Sequence, residues 1–278
     1  MKNNKIQDSN LNTKTHWGNV AESYDKYLSN DSSYHSEVIM PNLFRMIGKV
    51  VNEKTKNSLN ILDVACGQGQ IATELSKLGG KVEAFDYGID LIKIAKENNK
   101  KNNTNINFLV ADAQDFAKSY EGKVFDIVMC VLAIQNIENI KLVLENIKKI
   151  TDKNSKIYFV INHPAYRIPK SSEWGYTQEG VGVQNKSIQY RRVDKYMSED
   201  KIRMDMTPSE KREINKEYTY SYHRPLQYYF KLFSNNSFAV TRLEEWISNR
   251  VSEGKYGDRE NTARKEFPMF MCLEIQNI

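Results

Sequence analysis

The stretch from residue 60 to residue 70 reads NILDVACGQGQ. Its apolar part, Ile61–Val64, has the character of a strand, and apolar residues recur at helical spacing over residues 71–78. Gly67 and Gly69 separate the two patterns. Glycines between a strand and a helix let a ligand contact bare backbone at the helix N-terminus. The stretch therefore predicts a site for a nucleotide-like molecule.

This glycine turn fits two kinds of nucleotide site. Gly67-x-Gly69-x-x-Ala72 matches the dinucleotide pattern G-x-G-x-x-[GA], and Asp86 follows at the distance of a ribose-binding acid. Asp63, however, lies beside the turn, where an ionised carboxylate would repel a pyrophosphate. A carboxylate at that point suits a ligand that carries positive charge, such as an ammonium or a sulfonium.

The run also resembles motif I of the class I S-adenosylmethionine-dependent methyltransferases, which reads acid-x-Gly-x-Gly-x-Gly. Here it appears as Asp63-x-Ala65-x-Gly67-x-Gly69, with alanine in the first glycine position. Within that family, the cofactor part looks most like the ubiquinone- and menaquinone-biosynthesis type. The resemblance implies a Rossmann-like fold, S-adenosylmethionine as cofactor and methyl transfer as the activity. A nicotinamide-dependent oxidoreductase is the alternative from another class.

Apolar strand patterns and helical patterns alternate after the motif. Strands are predicted at residues 82–86, 106–113, 124–131 and 156–161, with helical patterns at residues 89–95 and 140–150. Alternation of this kind, with nearly continuous apolar strands, indicates a parallel sheet covered on both faces. Two later strands, at residues 238–247 and 267–275, complete the family's sheet. We therefore expect an α/β fold with a doubly wound, mostly parallel seven-stranded sheet.

Acidic residues end two of the later strands. The resemblance implies that Asp86 accepts hydrogen bonds from both ribose hydroxyls and that Asp112 accepts one from the adenine amine. With Asp63 they make three acids at strand ends, a pattern that is more specific than the glycines alone. The cofactor-binding residues expected on this basis are Tyr24, Asp63, Ala65, Gly67, Gln70, Asp86, Tyr87, Asp112, Ala113, Cys130 and Leu132.

The pattern divides the chain into five parts. A polar tail is expected to be disordered, a helical segment with Tyr24-Asp25-Lys26-Tyr27 resembles the lid of small-molecule members of the family, and an insert interrupts the sheet. Tyr24 or Trp17 would contact the cofactor from this lid, or would only pack the lid on the sheet. The predicted parts are the tail 1–14, the lid 15–55, the cofactor-binding core 56–162, the insert 163–222 and the C-terminal part of the sheet 223–278.

The insert is predicted to be a β-rich flap over the substrate. Pro164 and Pro169 exclude regular structure at its start, and residues up to 182 are rich in glycine and polar side chains. Strand patterns follow at residues 187–197, 202–206 and 217–222, and in the last of these tyrosines alternate with small polar residues. A segment of this length is too long for a plain loop.

Two histidines are candidates for a general base. His163 follows the fifth strand, at the edge where open α/β sheets bind ligands. His223 lies at a helix start, where the helix dipole disfavours the protonated ring. Each also fits a structural role, since a histidine in such a place often anchors a loop or caps a helix. Gln135 and Asn136 follow the fourth strand and either contact the cofactor or substrate or cap a helix.

Aromatic side chains and arginines concentrate in the insert. Aromatic rings form walls for planar or apolar molecules, and arginines hold carboxylates or phosphates. The tyrosines could equally form the core of the flap itself. We expect a small-molecule O or N acceptor with an anionic group and a planar or apolar body. The predicted substrate-binding residues are Asn136, Tyr166, Arg167, Trp174, Arg191, Tyr222 and Arg224.

Composition bears on whether nucleic acid, a metal ion or a membrane is a partner of this protein. The net charge is +5, and acids are interleaved with the basic residues, so a nucleic-acid partner is not expected. Cys66, Cys130 and Cys272 lie in or beside apolar strands and predict reduced buried thiols, with no metal site. The chain shows no apolar signal or membrane segment, so a cytoplasmic protein is expected. A protein or RNA methyltransferase, or a cofactor-binding subunit without transfer activity, remains an alternative.

Overall fold

The structure is a computed structural model that describes Trp17 and residues 33–53, 59–180, 186–206 and 218–278 of the 278-residue chain. Strands and helices alternate through most of these residues. The strands are β1 (Asn60–Val64), β2 (Lys81–Asp86), β3 (Asn107–Val110), β4 (Ile127–Val131), β5 (Lys156–Asn162), β6 (Ser172–Glu179), β7 (Lys186–Val193), β8 (Asp200–Asp205), β9 (Tyr218–His223), β10 (Phe238–Trp246) and β11 (Phe270–Asn277). The α-helices are α1 (Met40–Glu53), α2 (Gln70–Ser76), α3 (Ile89–Lys101), α4 (Ile140–Lys149), α5 (Leu226–Asn235) and α6 (Gly257–Glu266).

Seven strands form one sheet in the order β10-β11-β5-β4-β1-β2-β3. β1 runs parallel to β2 and β4, and β4 runs parallel to β5, whereas β11 is antiparallel to both β5 and β10. This is the doubly wound, mostly parallel seven-stranded sheet that the sequence predicts, and the fold prediction is confirmed. α6 was not predicted, because its sequence is polar and only Gly257 and Ala263 are buried in it.

The two faces of the sheet carry separate apolar layers. Successive residues of β1 point to opposite faces, so Leu62 joins one layer and Ile61 the other. Helices α4 and α5 cover the Leu62 face, and α1, α2 and α3 cover the Ile61 face. Because helices protect both faces, the central strands are buried nearly throughout, which explains their continuous apolar sequences.

The carboxyl ends of the parallel strands lie at one edge of the sheet, and the backbone there keeps its hydrogen bonds beyond the strands. The amide of Cys66 donates to the Phe85 carbonyl at 2.9 Å, and the amide of Ala111 donates to the Asp86 carbonyl at 3.0 Å. The amide of Leu132 donates to the Val160 carbonyl at 2.8 Å. These bonds fix the loops after β1, β3 and β4 side by side, which is where the predicted site residues are.

The insert consists of two antiparallel hairpins, β6–β7 and β8–β9. The β-rich prediction is confirmed, but β6 was not among the predicted strands. Gly175 hides the strand pattern: it pairs with Tyr190, whose ring lies 2.5 Å from where a Cβ of residue 175 would be. In β9, Thr219 and Ser221 are buried and the tyrosines point outward, so the tyrosines are not the core of this hairpin.

The N-terminal region is described only in part. The predicted tail 1–14 and Tyr24 lie outside the described residues. The described part of the predicted lid contains a π-helix, His35–Ile39, that continues directly into α1. The division of the chain into five parts stays a prediction. None of the helices in the described part of the chain has the length and apolar character needed to span a membrane.

Candidate cofactor and acceptor site

The turn between β1 and α2 uses left-handed backbone at three positions. Ala65, Gly67 and Gly69 have φ values of 56°, 57° and 75°. Two features require glycine at position 69. Its φ is left-handed, and a Cβ at this position would lie 2.6 Å from the ring of Phe108. Ala65 is a non-glycine residue in a conformation that L residues rarely adopt, which is typical of functional sites. The turn thus exposes backbone at the start of α2.

Asp63 is an acid enclosed by the protein. Its side chain is buried in β1, and its Oδ2 atom has no hydrogen-bond partner among the described residues. Burial raises the pKa of this carboxyl to about 8, and the charge of Asp86 adds to the effect, while a hydrogen bond from the Ala72 backbone opposes it. A buried acid whose oxygen has no partner among the described residues suits a hydrogen-bond donor or a cation of a ligand.

Asp86 ends β2 and holds the glycine turn in place. Its Oδ2 atom accepts a hydrogen bond from the Gly67 amide at 2.9 Å, and its Oδ1 atom accepts one from the Gly88 amide at 2.8 Å. Burial raises its pKa, while hydrogen bonds from the backbone of Gly88, Gly67 and Tyr87 lower it. A carboxylate has about four lone-pair sites, so these three hydrogen bonds leave part of its accepting capacity for a ligand hydroxyl.

Asp112 follows β3 by two residues, because the strand ends earlier than predicted, at Val110. Its Oδ1 atom accepts a hydrogen bond from the Gln114 amide at 2.8 Å, which fixes the carboxyl at the edge of the sheet. Ala113 and Gln114 lie beside it. The three acids therefore come together at the carboxyl ends of neighbouring strands.

The three acids and the glycine turn face one cavity of about 560 Å³. That volume is within the range of about 300–1,000 Å³ typical of small-molecule sites. Trp17 also lines this cavity. The predicted cofactor-binding residues that line it are Asp63, Ala65, Gly67, Gln70, Asp86, Tyr87, Asp112, Ala113 and Leu132.

Cys130 is not among the residues that line the cavity. Its side chain is fully buried in the apolar layer on the α4 side of the sheet, since residues of a strand alternate between faces. Val131 and Leu132, at the end of β4, line the cavity instead. Tyr24 lies outside the described residues.

The opposite wall of the cavity comes from the loop after β4 and from the hairpin β8–β9. Asn136 and Tyr222 lie there as predicted, with Glu138, Lys201 and Tyr220, which the sequence analysis missed. The Lys201 Nζ atom lies 3.2 Å from the Glu138 Oε1 atom. It also lies over the rings of Tyr220 and Tyr222, at 4.7 and 5.4 Å from their centroids. For Tyr220, the alternation of tyrosines along β9 was an available signal in the sequence.

The predicted arginines of the insert do not line this cavity. Arg191 donates to the Tyr166 carbonyl at 2.7 Å and lies over the ring of Trp174, so all three hold the hairpin β6–β7 in place. Arg224 is buried and donates to the carbonyls of residues 137 and 138 at 3.0 and 2.7 Å. Arg167 lies over the Phe270 ring at 4.8 Å. These guanidinium groups contact carbonyls and rings within the protein instead, which holds them away from this cavity.

Neither predicted catalytic histidine lines the cavity. His163 is buried, its Nε2 atom lies 2.7 Å from the Glu245 Oε1 atom, and its Nδ1 atom accepts from the Ala165 and Tyr166 amides. His223 donates through Nε2 to the Tyr196 carbonyl at 2.8 Å. Both rings anchor loops, which was the structural alternative for each. Their predicted role as bases has no geometric support.

A histidine that the sequence analysis missed does line the cavity. His35 is buried at the start of the π-helix, with 9% of its surface exposed. No motif in the sequence singles it out, because its position depends on how the N-terminal segment crosses the sheet. Among the described residues, no cluster of three His, Cys, Asp or Glu side chains is arranged to hold a metal ion.

Comparison with known proteins gives a family match over more than half of the chain. The family described as "Methyltransferase domain" matches residues 55–206. This range begins just before β1 and ends after β8, so it includes the glycine turn, the three acids and Lys201.

Curated relatives match over a shorter range. The "Ubiquinone biosynthesis O-methyltransferase" of Rickettsia conorii is 34% identical over 115 residues, which is 41% of this chain and 38% of the relative. The protein of the same name from Hydrogenovibrio crunogenus is 28% identical over 99 residues, 36% of this chain and 41% of the relative. The chain covers 36–44% of the length of the curated relatives it matches.

Solved structures share the fold at low identity. A putative S-adenosylmethionine-dependent methyltransferase from Listeria monocytogenes has a TM-score of 0.60 at 17% identity, covering 84% of this chain and 97% of the other. One from Mesorhizobium loti has a TM-score of 0.58 at 18% identity, covering 89% and 99%. Together with the family match, the motif and the sheet order, these findings confirm the sequence prediction, cofactor included: the chain belongs to the class I S-adenosylmethionine-dependent methyltransferases.

Proposed function

We propose that this protein transfers a methyl group from S-adenosylmethionine to an oxygen of a small molecule that has an anionic group and a planar or apolar body. One observation carries the proposal. A single cavity brings the three acids and the glycine turn on one side together with Lys201 and two tyrosines on the other. The first set suits the cofactor, and the second suits the acceptor.

The residues of the first set fit S-adenosylmethionine. Asp63 has a buried oxygen with no partner among the described residues, which suits the ammonium group, and Asp86 would accept from the ribose hydroxyls beside its backbone hydrogen bonds. Asp112 would accept from the adenine amine. The left-handed turn through Gly67 leaves room for the ligand against the backbone. When bound, the cofactor would supply a methyl group attached to a positively charged sulfur, and this methyl group is readily transferred from the sulfur.

The main task of the protein is then to position the acceptor. Holding an acceptor oxygen in line with the methyl group is worth up to about 7–11 kcal/mol of the barrier. The loop after β4 and the hairpin β8–β9 form the wall on that side, and Arg224 ties the two together through the carbonyls of residues 137 and 138. Removal of this tie would loosen the acceptor wall without touching the cofactor side.

Three observations support the nature of the acceptor. The rings of Tyr220 and Tyr222 offer flat surfaces to an aromatic or other planar body. Lys201 places a positive charge on that wall, which would attract an anionic acceptor. The positive charge of the cofactor would attract the same acceptor. Finally, the curated relatives are named as O-methyltransferases, although they match only about two fifths of this chain.

A labelled-methyl experiment tests the proposal. The protein is incubated with S-adenosylmethionine that carries a labelled methyl group and with small-molecule, protein and RNA fractions of a cell extract. We expect base-stable label, as in an ether, in the small-molecule fraction, in compounds that an anion-exchange resin retains. Label in protein or RNA, or no label in any fraction, would contradict the proposal.

A further inference from the structure

His35 is held at the cavity by the residues around it. The preceding Tyr34 packs edge-on against the Phe270 ring at 5.4 Å, and the guanidinium of Arg250 lies 4.2 Å from the Tyr34 centroid. On the other side of His35, the Ser36 amide donates to the Ser33 hydroxyl at 3.2 Å. Because both neighbours are held, the backbone at His35 is fixed beside the cavity that this residue lines.

The backbone at His35 is unusual. The Met40 amide donates to the His35 carbonyl, which gives the wide turn of a π-helix at the start of the longer helix α1. Single π-turns of this kind occur often at functional sites. This π-turn lies at the cavity, which His35 lines together with Asp63 and Gly67.

The surroundings of His35 keep its ring neutral. Burial lowers its pKa to about 4, and the positive charge of Arg167 adds to the effect. The nearby carboxylate of Glu37 does not offset this, because it is paired with the Arg250 guanidinium at 2.6 Å. Among the described residues, none forms a hydrogen bond with the His35 ring. A neutral ring with an available lone pair therefore faces the cavity.

The other titratable groups at the cavity are poorly suited to take a proton from an acceptor. Burial raises the pKa of Cys66, Tyr87 and Tyr222, so these groups are protonated at neutral pH. Lys201 is protonated too, since hydrogen bonds to Tyr222 and Glu138 raise its pKa.

The carboxylates have other partners. Asp63, Asp86 and Asp112 are assigned to the cofactor under the proposed function. The pKa of Glu138 is lowered, chiefly by its hydrogen bond to Lys201, so its carboxylate is stabilised in the charged form by that partner. His35 is thus the neutral base that remains on the described wall of the cavity.

We propose that His35 accepts the proton of the acceptor hydroxyl during methyl transfer. This inference rests on the proposed function. The acceptor oxygen forms a bond to the methyl carbon, the electron pair of the broken carbon–sulfur bond stays on sulfur, and the hydroxyl proton moves to a ring nitrogen of His35. The imidazolium then returns the proton to water.

A weakly basic imidazole is sufficient for this step. As the acceptor oxygen gains its third bond, its proton becomes far more acidic than an imidazolium, so transfer to a neutral ring is downhill. The charge of Arg167 favours the return of the proton to water afterwards.

Two binding measurements on the full chain test the inference without requiring the acceptor. The first uses ¹⁵N-labelled histidine, since the chain has only four histidines, at positions 16, 35, 163 and 223. S-adenosylmethionine and S-adenosylhomocysteine differ by one methyl group and one positive charge. The ring signals of His35, assigned with His35→Gln, are expected to differ between the two complexes, while those of His163 and His223 stay the same. Identical His35 signals would overturn the inference.

The second measurement compares S-adenosylhomocysteine with sinefungin, which carries an amine in place of the sulfur-bound methyl group. Replacement of His35 by Phe is expected to weaken sinefungin binding about tenfold, the effect of one lost hydrogen bond to a charged donor, and His35→Gln to restore part of it. Binding of S-adenosylhomocysteine should not change. Equal losses for both ligands, or none, would contradict a place for His35 at the reacting atoms. Failure of the wild-type protein to bind either ligand would instead refute the proposed function.

Discussion

The Asp86 carboxylate accepts a hydrogen bond from the Gly67 amide at 2.9 Å, which ties the end of β2 to the glycine turn after β1. One side chain thus shapes the turn and also presents lone pairs to the cavity. Asp86 therefore holds the conformation of the glycine turn and also belongs to the proposed cofactor site.

The first prediction concerns this residue. Asp86→Ala removes the acceptor of two ribose hydroxyls, and we expect the affinity for S-adenosylhomocysteine to fall by about 30- to 1,000-fold, or roughly 2–4 kcal/mol. Calorimetry measures the loss. Asp90→Ala is the matched control, because Asp90 is exposed on α3 and forms a surface ion pair with Lys93. Unchanged affinity in Asp86→Ala would refute the ribose assignment.

The second prediction separates the two ends of the cofactor. Asp63→Asn should weaken binding of S-adenosylhomocysteine about tenfold or more, because the ammonium group loses its charged partner. Binding of 5′-methylthioadenosine should be nearly unaffected, since that molecule lacks the amino-acid end. Equal losses for both ligands would show that the substitution damages the pocket as a whole.

The third prediction is a pH dependence. The Asp63 carboxyl has a pKa of about 8 in the folded protein and roughly 3.9 in an unfolded chain. The folded state therefore binds more protons between these values, and stability from this group is lost as pH rises from about 4 to 8. Thermal melts of the cofactor-free protein should show a smaller fall in Tm between pH 6 and pH 8 for Asp63→Asn than for wild type. Parallel falls would mean that Asp63 is ionised throughout.

The fourth prediction separates two costs of adding a side chain at the glycine turn, namely backbone strain at a positive φ and a steric clash with Phe108. Gly69→Ala places a Cβ 2.6 Å from the Phe108 ring at a φ of 75°, whereas Gly254→Ala has a φ of 83° and nothing within 4 Å. Both substitutions carry about 1–2 kcal/mol of backbone strain, and Gly69→Ala should lose at least about 1 kcal/mol more. Urea denaturation measures the difference. Equal losses would show that Phe108 moves aside freely.

The fifth prediction concerns the charge of the acceptor. Protein saturated with S-adenosylhomocysteine should bind benzoate more tightly than benzyl alcohol or benzylamine, and Lys201→Met should abolish that preference. Lys118→Met is the control, because this lysine is exposed and forms a surface ion pair with Asp115. A preference for benzylamine that increases in Lys201→Met would instead point to an amine acceptor held by Glu138 and the tyrosine rings.

The cofactor side was predictable because its signals are local. Asp63 and Gly67 stand in one motif, and Asp86 and Asp112 come at strand ends whose positions the apolar pattern indicates. In a parallel sheet, strand ends meet at one edge, so residues that are distant in sequence come together by topology alone.

The acceptor side was predictable only in kind. A flap rich in strands and tyrosines was expected, but the arginines chosen from it proved to be internal ties, as Arg191 and Arg224 show. Lys201 was missed because a single lysine on a short strand looks like any solvated residue. His35 was missed because no local pattern shows which side of a π-turn will face a cavity.

The strand positions, the glycine turn and the acids around the cofactor site could be predicted from the sequence, since strand periodicity and residue spacing encode these within short stretches of chain. That Lys201 and His35 reach the cavity, rather than the predicted arginines and histidines, became visible in the tertiary structure alone. Whether a side chain faces a cavity or a neighbouring carbonyl depends on how separate elements pack, as with His163 beside Glu245 and His35 beside the glycine turn. Such packing is set by contacts between distant parts of the chain, and these leave no local pattern to read.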